Sequence, residues 1–207
     1  MIEAVIFDRD GVLAFFDDPA ITEFFTRLLP IGMRQMRVDW DAHGAQQGWP
    51  RTVAEEKQFF ASFGRHLGDA YDLPAAALRE LEGWDYLTVM RPFADAQPIM
   101  AWLRQRGIKV GVLSNFSLAS LEPSLEALGL AAYVDVACSA PVIGVSKPAA
   151  AAFHITADQL GVAPERCLML DDKIVQVHGA RAAGMQALHF SSPETLARDL
   201  RGLGFAV

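Results

Sequence analysis

Residues Ala4 to Phe7 are an unbroken apolar run that stops at two carboxylates, Asp8 and Asp10, with Arg9 between them and Gly11 behind. So short a run with no polar position suits a strand covered on both faces of a parallel sheet. A chain built on such a strand must bring helices to both sides of it, and this requirement narrows the fold more than any other feature. In open α/β sheets, ligands bind just outside the carboxyl ends of the strands. Asp8 and Asp10 are therefore candidates for a site. Taken alone, the DRDG stretch is equally a polar turn that closes a strand.

From Arg91 onward the sequence supplies the helices. Pro98 to Arg106 predicts a helix closed by Gly107, and Lys109 to Leu113 a strand running into Ser114 and Asn115. Leu118 to Leu128 reads as helical with Gly129 as its stop, and Val134 to Cys138 as a short strand. Ala149 to Leu160 predicts a helix ending at Gly161. Cys167 to Leu170 is a further buried strand that runs into Asp171 and Asp172. Val175 to Ala183 is helical up to Gly184, and Gln186 to Phe190 is a final strand. Ser192 and Pro193 form an N-cap and first-turn pair for a terminal helix. Strands and helices alternating at these lengths imply right-handed crossovers and a doubly wound parallel α/β sheet.

Between Phe15 and Tyr86 the rhythm is different, with helical patterns and no convincing strand. Thr52-Val-Ala-Glu55 reads as a capping box, and behind it Phe59, Phe60, Phe63 and Leu67 share one helical face. Pro19 and Pro74 suit the first turns of two further helices, and another helix fits between Gly32 and Gly44. The predicted organisation is an α/β core of residues 1–14 and 91–207 with a helical insert at 15–90.

Of the 207 residues, 52% are hydrophobic, enough for a substantial core and too many for a disordered chain. A formal charge of −7 argues against a nucleic-acid partner, which calls for a basic face. An acidic protein still binds a phosphorylated substrate where a metal ion and a few placed cations reverse the local field. Cys138 and Cys167 form no CxxC pair and read as buried, reduced thiols. Glu3 and Asp8 interrupt the apolar N-terminus, and no apolar run approaches a membrane span. The expectation is a cytoplasmic protein with no membrane partner.

Three predicted strands end in polar residues: Phe7 before Asp8 and Asp10, Leu113 before Ser114 and Asn115, and Leu170 before Asp171 and Asp172. In a parallel sheet those ends lie on one side, so the groups converge. Lys147 sits in the loop entering the next helix on that same side. Each has an ordinary structural use, as a helix cap, a dipole partner or a solvated loop lysine. Four such loops in this order are hard to attribute to caps alone. Several carboxylates together make a hard-cation site, most naturally for Mg²⁺. A lysine and a serine there would hold phosphoryl oxygens. One free carboxylate could attack phosphorus while a neighbour shuttles the proton.

The motifs FDRDGV, LSN, SKP and LMLDD, in this order and at roughly these intervals, closely resemble the four motifs of the haloacid dehalogenase-like (HAD) hydrolase superfamily. The resemblance covers nearly the whole chain and is strongest from Arg91 to Phe190. The insert resembles the small α-helical cap of the subfamily I members. The resemblance implies a Rossmann-like core with Asp8 as nucleophile and Asp10 as general acid/base. It implies that Ser114 and the Asn115 backbone bind the phosphoryl group, and that Lys147 neutralises it and steadies the nucleophile. Mg²⁺ would be held by Asp8, the Asp10 carbonyl and Asp172, with Asp171 behind them or bonded to Lys147. The implied reaction is hydrolysis of a small phosphorylated metabolite through an aspartyl phosphate.

The chain also departs from family patterns. Members with paired acids at the fourth motif often carry Asn four positions after the second, where this chain has Gln176, and Lys173 adds a positive charge beside the metal loop. Histidinol- and heptose-phosphate phosphatases share DRDG but have a Cys/His zinc loop that is missing here. Asp10 argues against the dehalogenase and phosphonatase branches, and Lys57 is the sole insert lysine available to the latter. Three alternatives stay open. One is a phosphomutase, similar to β-phosphoglucomutase, using the same phosphoaspartate. Another is a non-phosphatase HAD hydrolase, and the third a catalytically silent binding or regulatory protein. Arg34, Arg37, Arg51, His43, His66, Trp40 and Trp49 are the insert residues with side chains suited to contacting a leaving group.

Overall fold

The computed structural model describes residues 1–192 and 200–202, and in it the run Ala4–Phe7 is the central strand of a five-stranded sheet. In chain order the strands are β1 (Ala4–Phe7), β2 (Ala14–Phe16), β3 (Met90–Pro92), β4 (Lys109–Ser114), β5 (Val136–Ser139), β6 (Cys167–Asp171) and β7 (Gln186–His189). The sheet runs β5-β4-β1-β6-β7 with every neighbouring pair parallel. The chain steps outward from β1 through β4 to β5, then returns to the other side of β1 for β6 and β7. The order therefore reverses between β1 and β6, and a crevice opens at such a switch point beyond the carboxyl ends.

The helices in chain order are α1 (Asp18–Leu28), α2 (Met33–Gln47), α3 (Val53–Tyr71), α4 (Ala75–Glu82), α5 (Ala96–Gln105), α6 (Leu121–Ala127), α7 (Ala140–Ile143), α8 (Ala150–Leu160) and α9 (Ile174–Ala182). On one face of the sheet Ala4, Ile6 and Met169 pack with Ala152, Phe153 and Ala157 of α8 and with Val177 and Ala180 of α9. On the other, Phe7, Leu13, Phe93, Ile99 of α5 and Phe190 border one small cavity. All four residues of β1 are buried, as the unbroken apolar run requires. Full burial of each large side chain stabilises by about 1.5–3 kcal/mol. This sandwich makes the carboxyl end of β1 a rigid platform.

The described chain divides into two compact units. The first comprises Met1–Phe15, Arg91–Phe116 and the described residues from Leu121 onward; the second comprises Phe16–Met90 and Ser117–Ser120. In the second unit α1 to α4 enclose Phe25, Leu29, Met36, Phe63, Leu67 and Leu81, with Trp40 and Trp84 packed against them. Thr52 Oγ1 accepts from the Glu55 N–H at 3.2 Å, while Glu55 accepts from the N–H of Arg51 rather than that of Thr52. Pro74 stands just before α4 rather than inside its first turn.

Other differences from expectation have local causes. The helix expected from Leu118 begins at Leu121, because Ser120 donates from both its N–H and its Oγ to the buried Glu56 carboxylate, at 2.9 and 2.6 Å. The paired strands β2 and β3 are three residues each, too short to show the period-two alternation that marks a strand. The terminal helix expected from Ser192 and Pro193 falls largely on residues 193–199, outside the described residues. No helix of the described residues is long and apolar enough to cross a membrane.

Candidate active site

Strand register brings the predicted groups together. Phe7 lies level with Val112 of β4 and Leu170 of β6, so the next residue, Asp8, emerges level with Leu113 and Asp171. The Asp8 N–H still donates to the Leu170 carbonyl at 2.8 Å, which extends the strand pairing to the site itself. Ser114 follows Leu113 on the other flank. One carboxylate oxygen from each of Asp8, Asp171 and Asp172 lies within 4.8 Å of the other two.

Lys147 joins this cluster. Its Nζ lies 3.0 Å from Asp8 Oδ1 and 2.6 Å from Asp171 Oδ2, and it is as buried as the acids it bridges. Asp171 Oδ1 accepts the backbone N–H of Lys173, so both oxygens of Asp171 are engaged. Asp172 differs, since its Oδ1 is buried with no hydrogen-bond partner. Burial pushes the Asp8 carboxyl up to about 6, with the Asp171 and Asp10 charges adding and Lys147 opposing. Asp172 is also raised, first by burial and then by Asp171, against Lys173 and Lys147. Three crowded carboxylates facing one ammonium are short of positive charge. The orphaned Asp172 oxygen among them fits a hard divalent cation.

Gly11 makes the cluster possible. Its φ is +87°, a left-handed conformation that a side chain disfavours. A Cβ there would also lie 2.6 Å from Asp172 Oδ2 and 2.8 Å from its Cγ. The backbone of the DRDG turn thus lies directly against the Asp172 carboxylate.

Asp10 is placed differently from the other acids. Its carboxylate is outside the three-acid group and is gripped by the guanidinium of Arg9, with Nε to Oδ1 at 2.9 Å and Nη2 to Oδ2 at 3.0 Å. The physical reason is local, because the turn points the neighbouring side chain inward beside it. Ser114 is buried, and its Oγ accepts the Phe116 N–H at 3.1 Å. Asn115 exchanges two hydrogen bonds with the backbone of Lys147: Nδ2 donates to its carbonyl and Oδ1 accepts its N–H, both at 2.8 Å.

Sequence reading missed three contributors. Arg9 is the largest fully buried side chain among the described residues. The Asn115 side chain fixes the backbone that carries Lys147. His189 stands opposite Asp171 in the β6–β7 register, and its Nε2 lies 2.9 Å from the Asp172 carbonyl. A signal existed for the first alone, since a cation set between two carboxylates just beyond a buried strand must find a partner. Of the insert residues singled out, His43 is buried in the second unit, and Trp40 and Trp49 are half-buried there. Trp40 packs on Phe59, Phe60 and Phe63, Trp49 on Phe59, and His43 bonds to Ser62 at 2.8 Å. Gln176 is buried, and its Oε1 has no partner.

The family described as haloacid dehalogenase-like hydrolase matches residues 2–184. A phosphatase of Mycobacterium tuberculosis (strain CDC 1551 / Oshkosh) is 36% identical over 213 residues, covering 98% of this chain and 95% of its own. Among solved structures, a HAD phosphatase from Thermococcus onnurineus aligns with a TM-score of 0.60 at 25% identity, over 93% of this chain and 87% of that one. An L-2-haloacid dehalogenase from Xanthobacter autotrophicus aligns with a TM-score of 0.64 at 24% identity, over 98% and 83%. One backbone thus serves both chemistries, and the side chains at the strand ends must decide between them.

Proposed function

The chain belongs to the haloacid dehalogenase-like hydrolases, and within that family we propose that it is a Mg²⁺-dependent phosphatase of a small phosphorylated metabolite, working in the cytoplasm. The observation that carries this reading is a buried carboxylate, Asp8, held at a strand end by Lys147 and the Arg9 N–H, with a second acid two residues on. A dehalogenase has no use for a second acid as proton donor to the leaving group, because a halide departs without a proton. The named phosphatase relative supports the same choice.

In the proposed reaction an Asp8 oxygen bonds to phosphorus as the bond from phosphorus to the ester oxygen breaks. Asp10 gives its proton to the departing alkoxide. Water then attacks the phosphorus of the aspartyl phosphate and Asp10 takes up its proton, releasing phosphate and restoring Asp8. Ser114, the Asn115 backbone N–H and Lys147 hold the phosphoryl oxygens. Lys147 also keeps Asp8 oriented, with Asp171 anchoring the ammonium. Asp8, Asp172 and the Asp10 carbonyl would hold Mg²⁺, which when bound offsets the charge of the carboxylates and the phosphoryl group. The helical unit would act as the cap that selects the leaving group.

The test is a panel of phosphorylated sugars, nucleotides and acids with Mg²⁺, scored for inorganic phosphate. Phosphate release that is lost on chelation and in Asp8→Asn is expected. Conversion of one ester into another without free phosphate would make the protein a mutase instead. No metal-dependent release from any member, an aryl phosphate included, would refute the assignment.

A further inference from the structure

Each nitrogen of the Arg9 guanidinium has a partner inside the first unit. Nε and Nη2 form the fork on Asp10, and Nη1 donates to Ser124 Oγ at 2.9 Å. The Ser124 hydroxyl is itself oriented, donating to the Leu121 carbonyl at 2.6 Å. The Phe116 ring lies 4.1 Å from the guanidinium carbon. A fully buried arginine leaves no room for alternative rotamers, so its fork has a fixed direction. Its backbone is equally committed, since the Arg9 N–H donates to Asp8 Oδ1 at 2.9 Å and its carbonyl accepts from Leu13 and Ala14, each at 2.9 Å. One residue therefore orients both carboxylates, Asp8 through its main chain and Asp10 through its side chain.

We propose that Arg9 is the positioning residue for the proton-transfer group: its buried fork sets the direction in which Asp10 presents an oxygen to the leaving group and to the attacking water. The inference rests on the reading of Asp10 as general acid/base. Two parallel N–H···O bonds fix a carboxylate plane in a way a single ammonium does not. Side-chain exposure of Asp10 is 29%, against none for Arg9, so the reacting group is open to a substrate while its holder is sealed away. Helix α6, through Ser124, supplies the rigid wall.

The test is Arg9→Lys, which keeps a cation and loses the fork. Turnover of an alkyl phosphate, whose departing oxygen needs the proton, should fall about 10–100-fold. Burst phosphorylation of Asp8 by an aryl phosphate, whose leaving group does not, should stay within about 3-fold of wild type. In an Asp10→Asn background, Arg9→Lys should add almost nothing to the loss. Ser124→Ala, which frees only Nη1, should give the same substrate split at smaller scale, and it serves if Arg9→Lys fails to fold. Equal losses on both substrates, or losses that multiply with those of Asp10→Asn, would overturn the inference. If Asp10→Asn is slow while Arg9→Lys and Ser124→Ala match wild type, Arg9 has no positioning role and the acid–base reading survives. If Asp10→Asn itself turns over alkyl phosphates normally, the acid–base reading falls and the inference with it.

Discussion

Replacing Gly11 by Ala tests whether the DRDG turn and the Asp172 loop are built as one unit. Two costs arise. The positive φ of +87° disfavours any side chain by about 1–2 kcal/mol. The new Cβ, 2.6 Å from Asp172 Oδ2 and 2.8 Å from its Cγ, must also push that carboxylate aside, at about 1–3 kcal/mol for an overpacked contact. Gly107 provides the control, since its φ is +70° and a Cβ there meets nothing within 4 Å. Gly107→Ala should therefore lose only the conformational part. Chemical unfolding without metal should show Gly11→Ala less stable than Gly107→Ala by at least about 1 kcal/mol. Displacing Asp172 should also weaken Mg²⁺ binding by about 10–100-fold in a calorimetric titration, which Gly107→Ala should leave unchanged. Adding Asp172→Ala to Gly11→Ala should recover the steric part of the stability loss. If the two glycine variants are equal in both measurements, the close approach of turn and carboxylate has no energetic weight and the reasoning fails.

With its carboxyl raised from 3.8 to about 6, folded metal-free protein binds the Asp8 proton more tightly than the unfolded chain does. That contribution is complete below pH 3.8 and is lost as pH rises through about 6, amounting to about 3 kcal/mol; melts of chelated protein from pH 4 to 7.5 should show the decline, and Asp8→Asn should flatten it. Asn115→Ala removes both bonds to the Lys147 backbone, so turnover should drop at least about 10-fold with little change in the global fold; a wild-type rate would mean that Lys147 is fixed by other contacts. Asp10→Asn should slow turnover about 10²–10⁴-fold, and with an aryl phosphate it should accumulate phosphate on the peptide containing Asp8. Rapid quench and mass spectrometry would detect it, and phosphate on another residue would refute the covalent assignment.

What the order of residues decides by itself is what depends on neighbours in the chain. The apolar run Ala4–Phe7 specifies a strand buried on both faces, because no residue in it tolerates solvent, and the glycines at 107, 129, 161 and 184 close a helix or turn at positive φ as their positions suggest. Strand ends that carry Asp8, Ser114 and Asp171 follow directly, and parallel register does the rest of the gathering. Boundaries set by distant partners are not readable in this way: α6 starts late because Ser120, some sixty positions from Glu56 in the chain, is hydrogen-bonded to its carboxylate. The division of labour among the acids is likewise a three-dimensional property. Asp171 and Asp172 are adjacent and chemically identical, yet one has both oxygens engaged, by Lys147 and the Lys173 N–H, while the other keeps a buried oxygen without a partner. In the sequence Arg9 is simply a cation between two aspartates. Only folding, which brings Ser124 from 115 positions away to its guanidinium, makes it the residue that orients both of its neighbours, because a buried cation must take whatever acceptors the tertiary structure encloses with it.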